Sequence, residues 1–168
     1  MNNGRPEIHL FGRTEDKEAE KIVVEDYKPY FYVRPEEAEE VSAFDHEHID
    51  HFEETDYVDV LEKEELVKVV VSNPYKVSDV AGIFDQHFEA DVDATNQFRV
   101  DYNIKTGVKA PSSRVTADEL EPVEMEAPPR VMTFDIETDD RGEGFPDYGK
   151  ARILSIVAHD SYTDEYVG

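Results

Sequence analysis

Apolar and polar residues alternate in short runs from the start of the chain. Residues 7–12 (EIHLFG) and 21–26 (KIVVED) flank a polar stretch, 13–20, as two strands flank a hairpin connection. A third strand is predicted at 30–33 (YFYV), with Pro29 at its entrance, where a missing N–H is tolerated. Beyond Pro35 the pattern suits a helix over 36–44, then a loop and a short strand at 57–61. The run 66–72 (LVKVVVS) predicts a buried strand. After Asn73 and Pro74, apolar residues recur at Val77, Val80, Phe84 and Phe88, a spacing that marks one face of a helix. Residues 88–92 are expected to turn back into the sheet. Strands and helices in this order predict an α+β domain with a mixed or antiparallel sheet.

Residues 110–129 hold four prolines and little periodicity, and read as a linker or solvated loop. A second domain opens at Arg130. Residues 131–138 (VMTFDIET) form a predicted strand, 141–149 a loop with three Gly and one Pro, 153–159 (ILSIVAH) a second strand, and 162–167 the start of a third. The expected division is 1–127 and 128–168.

Charge changes the picture of habitat. The 168 residues include 41 Asp and Glu against 17 Lys and Arg, a net charge of −24. In dilute buffer that density opposes compaction. At about 1 M salt the Debye length falls to about 3 Å and the repulsion is screened. Disorder is the usual alternative, but Val, Ile, Phe and Tyr recur in orderly runs throughout. The composition therefore suits a folded protein of a salt-loving cell. An acidic chain has few basic groups to offer phosphates, so contact with nucleic acid must rest on metals, stacking and hydrogen bonds. There is no Cys, which excludes disulfides and thiolate metal sites. No apolar run approaches the roughly 20 residues that span a bilayer, and the opening MNNGRPEIHLFGR lacks a secretory h-region. A cytoplasmic protein without a membrane partner is expected.

Asp135 and Glu137 are the candidate catalytic and metal-binding residues. Positions i and i+2 of a strand point to one face. Two carboxylates placed so can hold Mg²⁺ or Mn²⁺, which prefer oxygen ligands. Paired ions of this kind activate water in phosphodiester cleavage. The same spacing occurs at Asp16/Glu18 and Asp45/Glu47, in polar surroundings that read as solvated surface. Only Asp135/Glu137 sits in an apolar strand, where Phe134 and Ile136 are expected to anchor the opposite face. Burial of two carboxylates together is costly unless a cation compensates. His46, His48 and His51 share no single face of a regular element and are read as a solvated run. Lys28, Arg34, Arg99 and Arg130 are too scattered for a DNA patch.

Residues 129–138 (PRVMTFDIET) resemble the first exonuclease motif of the family B DNA polymerases. Residues 6–13 (PEIHLFGR), 26–33 (DYKPYFYV), 69–80 (VVVSNPYKVSDV) and 88–101 (FEADVDATNQFRVD) resemble that family's N-terminal domain, in the same order. With the acidity, the resemblance points to a haloarchaeal enzyme. It implies an α+β N-terminal domain followed by the first strands of an RNase H-like α/β exonuclease domain, and 3′→5′ proofreading with two Mg²⁺ or Mn²⁺ ions. Asp135 and Glu137 would be metal ligands, Glu137 also orienting the attacking water. The second and third exonuclease motifs and the palm carboxylates are expected downstream of this truncated chain, which alone would be inactive. A Tyr-x-x-x-Asp pattern like the third motif does occur at Tyr75/Asp79, upstream of the first motif, and is read as coincidence. The implied partners are DNA template and primer and, for the parent enzyme, a sliding clamp. The resemblance also implies a pocket for template uracil at Pro29, Tyr30 and Val77. Two departures weaken it: the family strand that supplies one aromatic precedes this chain, and another aromatic position falls at Ala94. Rival readings are a stand-alone RNase H-like nuclease and a non-catalytic single-stranded DNA-binding module from a split gene.

The charge generates the first prediction. Helix and sheet signal in circular dichroism and the melting temperature should both rise as KCl goes from 0.1 M towards about 2 M, because screening removes the self-repulsion. A melting temperature indifferent to salt would remove the halophile argument.

Overall fold

The computed structural model describes residues 6–139 and 152–168. The chain forms two compact units, Met1–Glu126 and Ala127–Gly168. In the first, β1 (Ile8–Arg13) and β2 (Ala19–Val24) make the expected hairpin, and β3 covers Tyr30–Val33. Helix α1 (Pro35–Ser42) leads to β4 (Ile49–Val58) and β5 (Glu65–Val71). A 3₁₀ turn at Pro74–Lys76 runs into α2 (Val77–Ala81), followed by β6 (His87–Phe88) and α3 (Ala94–Asp101). Short strands β7 (Gly107–Lys109), β8 (Arg114–Val115) and β9 (Glu121–Val123) complete the unit. The second unit is an antiparallel sheet of β10 (Met132–Thr138), β11 (Ile153–Asp160) and β12 (Glu165–Val167).

The main sheet of the first unit has the order β4-β5-β3-β6, with antiparallel pairings throughout. A second sheet, β1-β2-β8, is mixed, because β8 runs parallel to β2. All four residues of β3 are buried, and alternation sends them to two cores. Phe31 and Val33 join Val69 and Val71 of β5 beneath Ala38 of α1 and Val80, Ala81 and Phe84 around α2. Tyr30 and Tyr32 join Leu66 and Val70 on the other face, packed against Val24, Phe98 and Val115. The unit is thus layered, with α1 and α2 on one side of the main sheet and α3 with the second sheet on the other.

Four expectations change. The polar stretch before Tyr57 is a ten-residue edge strand, β4, and not a loop. Only Ile49 and Phe52 of it pack against a core, so polar residues occupy six of its ten positions and hide the alternation, as edge strands often do. The helix after Pro74 stops at Ala81, where Gly82, a poor helix former, follows. Phe84 still reaches the core under α2, while Phe88 belongs to β6 and the opposite core. Residues 94–101 form a helix that sequence periodicity did not reveal. Asp93 caps it, its side chain accepting the Thr95 N–H at 2.8 Å. Finally, much of 110–129 is not a solvated linker. Val115, Ala117 and Leu120 are buried, and Thr116 and Glu119 form a capping box. Two- and three-residue strands are too short to leave a period. The expected loop at 141–149 lies outside the described residues. No helix among those described is long and apolar enough to cross a membrane.

Arg34 follows β3 directly and its side chain is only 4% exposed. Its Nη2 lies 3.2 Å from Asp59 and also pairs with Glu62. Nη1 is 2.9 Å from Glu64, an ion pair by distance whose angles give no hydrogen bond. Nε donates to Gln86, and the guanidinium sits over the Phe88 ring. One arginine therefore joins β3, the β4–β5 turn and β6. Arg34→Ala should destabilise the unit by about 3 kcal/mol, at the lower end for a broken buried pair, since Glu62 and Glu64 can rehydrate. Arg34→Lys, which keeps the charge and loses the fork, should lose less. Urea melts in high salt read both, and no loss in the alanine variant would show the cluster to be ornamental.

Candidate functional site

The ladder between β10 and β11 runs unbroken from Met132 opposite Asp160 to Glu137 opposite Ser155. Alternate residues therefore keep to one face, and Asp135 and Glu137 stand side by side on it. Val157 lies across from Asp135 and Ser155 across from Glu137. The register slips between Glu137 and Thr138, an irregularity of the kind that re-aims side chains beside active sites. Both carboxylates are exposed. Asp135 accepts the Ile136 N–H on Oδ1 at 3.1 Å, which leaves Oδ2 for a ligand. These two hard oxygen donors fit Mg²⁺ or Mn²⁺ in kind. Among the described residues, however, no group of three or more His, Asp or Glu side chains converges on a metal position.

The opposite face of β10 corrects one expectation. Phe134 is 60% exposed and Ile136 42%, so neither anchors a core. Among the described residues of this unit, three strands supply no second layer to bury them. The strand's entrance is fixed by polar contacts instead. Arg130 Nε donates to both oxygens of Asp160, at 3.1 and 2.9 Å, and the guanidinium brings the Asp160 carboxyl down to about 2. Ser161 Oγ accepts the Val131 N–H, and the Tyr162 hydroxyl donates to the Pro128 carbonyl.

The structure divides the three candidate uracil-pocket residues between two faces of the main sheet. Pro29 precedes β3 in continuing register, its carbonyl accepting the Val71 N–H at 2.9 Å. That pairing turns Pro29 to the Val71 side, where Val77 also packs. The Tyr30 ring lies on the other side, in the core with Tyr32 and Phe98. Only the main chain of Tyr30 is common to both. Sequence reasoning missed the residue that engages it. Gln97, buried in α3, donates Nε2–H to the Tyr30 carbonyl at 2.7 Å and accepts the Tyr30 N–H at 3.4 Å. Ala94, the departure from the family pattern, is the first residue of that helix.

A cleft of about 530 Å³ opens on the Tyr30 ring side, lined by Tyr27, Lys28, His51, Lys68, Asp101 and Tyr102 among others. Asp101 accepts both tyrosine hydroxyls, from Tyr27 at 2.9 Å and Tyr30 at 2.7 Å. Burial, reinforced by that carboxylate, raises both phenols above their usual range, so they act as neutral donors. Burial likewise pushes Tyr32 up to about 12. Lys68 sits 4.2 Å above the Tyr30 ring and 3.1 Å from Glu53. His51, the one histidine of the acidic run in this cleft, lies between Glu53 at 2.8 Å and Asp50 at 2.7 Å, and their carboxylates raise its pKa. Lys28 completes the row on Asp50 at 2.6 Å. These contacts are ion pairs of a wall, not metal ligands or free cations.

Residues 85–165 match the family model for the DNA polymerase family B exonuclease domain. The whole chain resembles the family B DNA polymerase from the hyperthermophilic archaeon Pyrobaculum calidifontis, with a TM-score of 0.69 over 98% of this chain. The two are 19% identical, so that likeness speaks for the fold. The chain spans 24% of the length of that polymerase. No curated protein matches the sequence. The fold is similar to the N-terminal and exonuclease region of a family B DNA polymerase. Strand β10, with Asp135 and Glu137, lies inside the residues matched by the exonuclease-domain model.

Proposed function

We propose that the chain serves a DNA-directed DNA polymerase with 3′→5′ proofreading, in a salt-adapted cell, and that β10 is the first metal-binding strand of its exonuclease. The observation that carries this reading is the pairing of Asp135 and Glu137 on one exposed strand face within the family match. Mg²⁺ or Mn²⁺ bound there would supply charge neutralisation for phosphodiester hydrolysis. The contribution of the chain itself is positional. The β10–β11 ladder holds the two carboxylates at adjacent places, with its register slipping directly after Glu137. A second ion needs further carboxylates, which the described residues do not bring to this face. The isolated chain is therefore expected to bind metal weakly and to leave DNA intact.

Isothermal calorimetry with Mn²⁺ tests this. Asp135→Ala with Glu137→Ala should abolish a weak binding signal and leave the melting temperature nearly unchanged, because two exposed like charges are removed together. Binding that survives the double substitution would reject the assignment. Nuclease activity in the purified chain that the double substitution removes would show the site to be complete.

The template-facing surface is proposed on the first unit. A uracil pocket there has Pro29 and Val77 as walls and the Tyr30 main chain as its polar edge, and a base must displace the Gln97 carboxamide to use that edge. Single-stranded DNA with one uracil should bind slightly more tightly than its thymine twin at equal high salt, since the thymine methyl meets the wall. Equal affinities would remove the pocket.

A further inference from the structure

Tyr75 is the most exposed aromatic of the described residues, at 90%. Three other outward aromatics are engaged: Phe11 edges on His9 under Lys21, Tyr57 packs on Tyr32, and Tyr166 lies over His159, whereas Phe44 and Phe134 are exposed to a lesser degree than Tyr75. Among the described residues the Tyr75 ring meets no aromatic or cationic group, and its hydroxyl has no hydrogen-bond partner. Its backbone, by contrast, is held. Asn73 Oδ1 accepts the Tyr75 N–H at 3.0 Å, and the Asn73 carbonyl accepts the Lys76 N–H at 2.9 Å. Pro74 restricts the turn before it, and α2 begins two residues after it, with Val77 packed on the core. A rigid main chain that holds a flat ring in water pays little ordering entropy when a second flat group stacks on it.

The position adds direction. Tyr75 follows β5 at the end where Val71 pairs with Pro29, and precedes Val77 by two residues. Its main chain therefore lies at the same end of the sheet as Pro29 and Val77. The surrounding charge is not that of a phosphate site. Lys76 is bound to Asp79 at 2.7 Å, Glu47 is its other charged neighbour, and His48 acts on Asp79. Whatever binds here must bind through the ring.

We infer that Tyr75 is a stacking platform for one base of single-stranded DNA at the edge of the template-facing surface. The inference rests on the DNA-binding reading above. It gives the Tyr75 of the misplaced Tyr-x-x-x-Asp pattern a role that has nothing to do with metal. Base–aromatic stacking accepts any base and is not screened by salt, so it suits a chain of net charge −24.

The chain contains no tryptophan, so Tyr75→Trp installs a single reporter. In the full chain at molar KCl, a short oligothymidylate should quench that tryptophan, and an abasic strand of equal length should not. Tyr75→Ala should weaken oligothymidylate binding, read by anisotropy, roughly tenfold or more, and Tyr75→Phe should retain it. The side chain is exposed, so circular dichroism should show all three variants folded. Binding that is unchanged in Tyr75→Ala, with an unquenched tryptophan, would overturn the inference and leave the DNA-binding reading intact. No binding of any single strand by the wild-type chain would overturn both.

Discussion

Strand β3 is buried on both sides, and the first unit is assembled around that fact. Four consecutive apolar or aromatic residues, Tyr30 to Val33, feed two separate cores on opposite faces of the main sheet. A strand in this position has no solvent face to spare, which is why its sequence reads as continuous rather than alternating. The chain returns to charge at Arg34, and the structure keeps that charge inside, held by three carboxylates of the β4–β5 turn. The central strand and the turn beyond the sheet edge are thus tied together by one guanidinium. The same strand positions Pro29 and Tyr30 at its entrance, so the proposed template-facing surface inherits its geometry from the most buried part of the fold.

The acidity shapes function as much as stability. Of the cations near the candidate surfaces, Lys28, Lys68, Lys76 and Arg130 are each committed to a carboxylate. Phosphate attraction therefore has few groups to work with. For the proposed function the remaining means of holding DNA are carboxylate-bound metal and aromatic stacking, and stacking is not screened by salt. In the proposed readings Asp135 and Glu137 offer the first and Tyr75 the second. They belong to different compact units, and each rests on its own local framework: a ladder with a register slip in one case, a 3₁₀ turn capped by asparagine in the other.

Legibility followed the strength of local patterning. The β1–β2 hairpin, β3, β5 and the strands of the second unit were readable because a short apolar run between turn residues has few other uses. The pairing of Asp135 and Glu137 was readable for a simpler reason: positions two apart on any strand share a face. Strand β4 was hidden because only two of its residues, Ile49 and Phe52, pack against a core, and both only in part. Helix α3 was hidden because its buried face includes Gln97, a polar residue whose partner is the backbone of Tyr30, 67 residues earlier.

What the sequence determined by itself is therefore the local and the periodic: strand positions, the common face of the two carboxylates, the acidic net charge and the resemblance to the polymerase family. The tertiary structure decided what depends on contacts between distant residues. It sent the Tyr30 ring to one core and Val77 to the other, set the Gln97 carboxamide on the intervening main chain, and buried Val115, Ala117 and Leu120 from a stretch with no period. It also left Phe134 and Ile136 exposed. Alternation fixes which side of a strand a residue takes, but only the packing of another layer decides whether that side is a core, a pocket or open water.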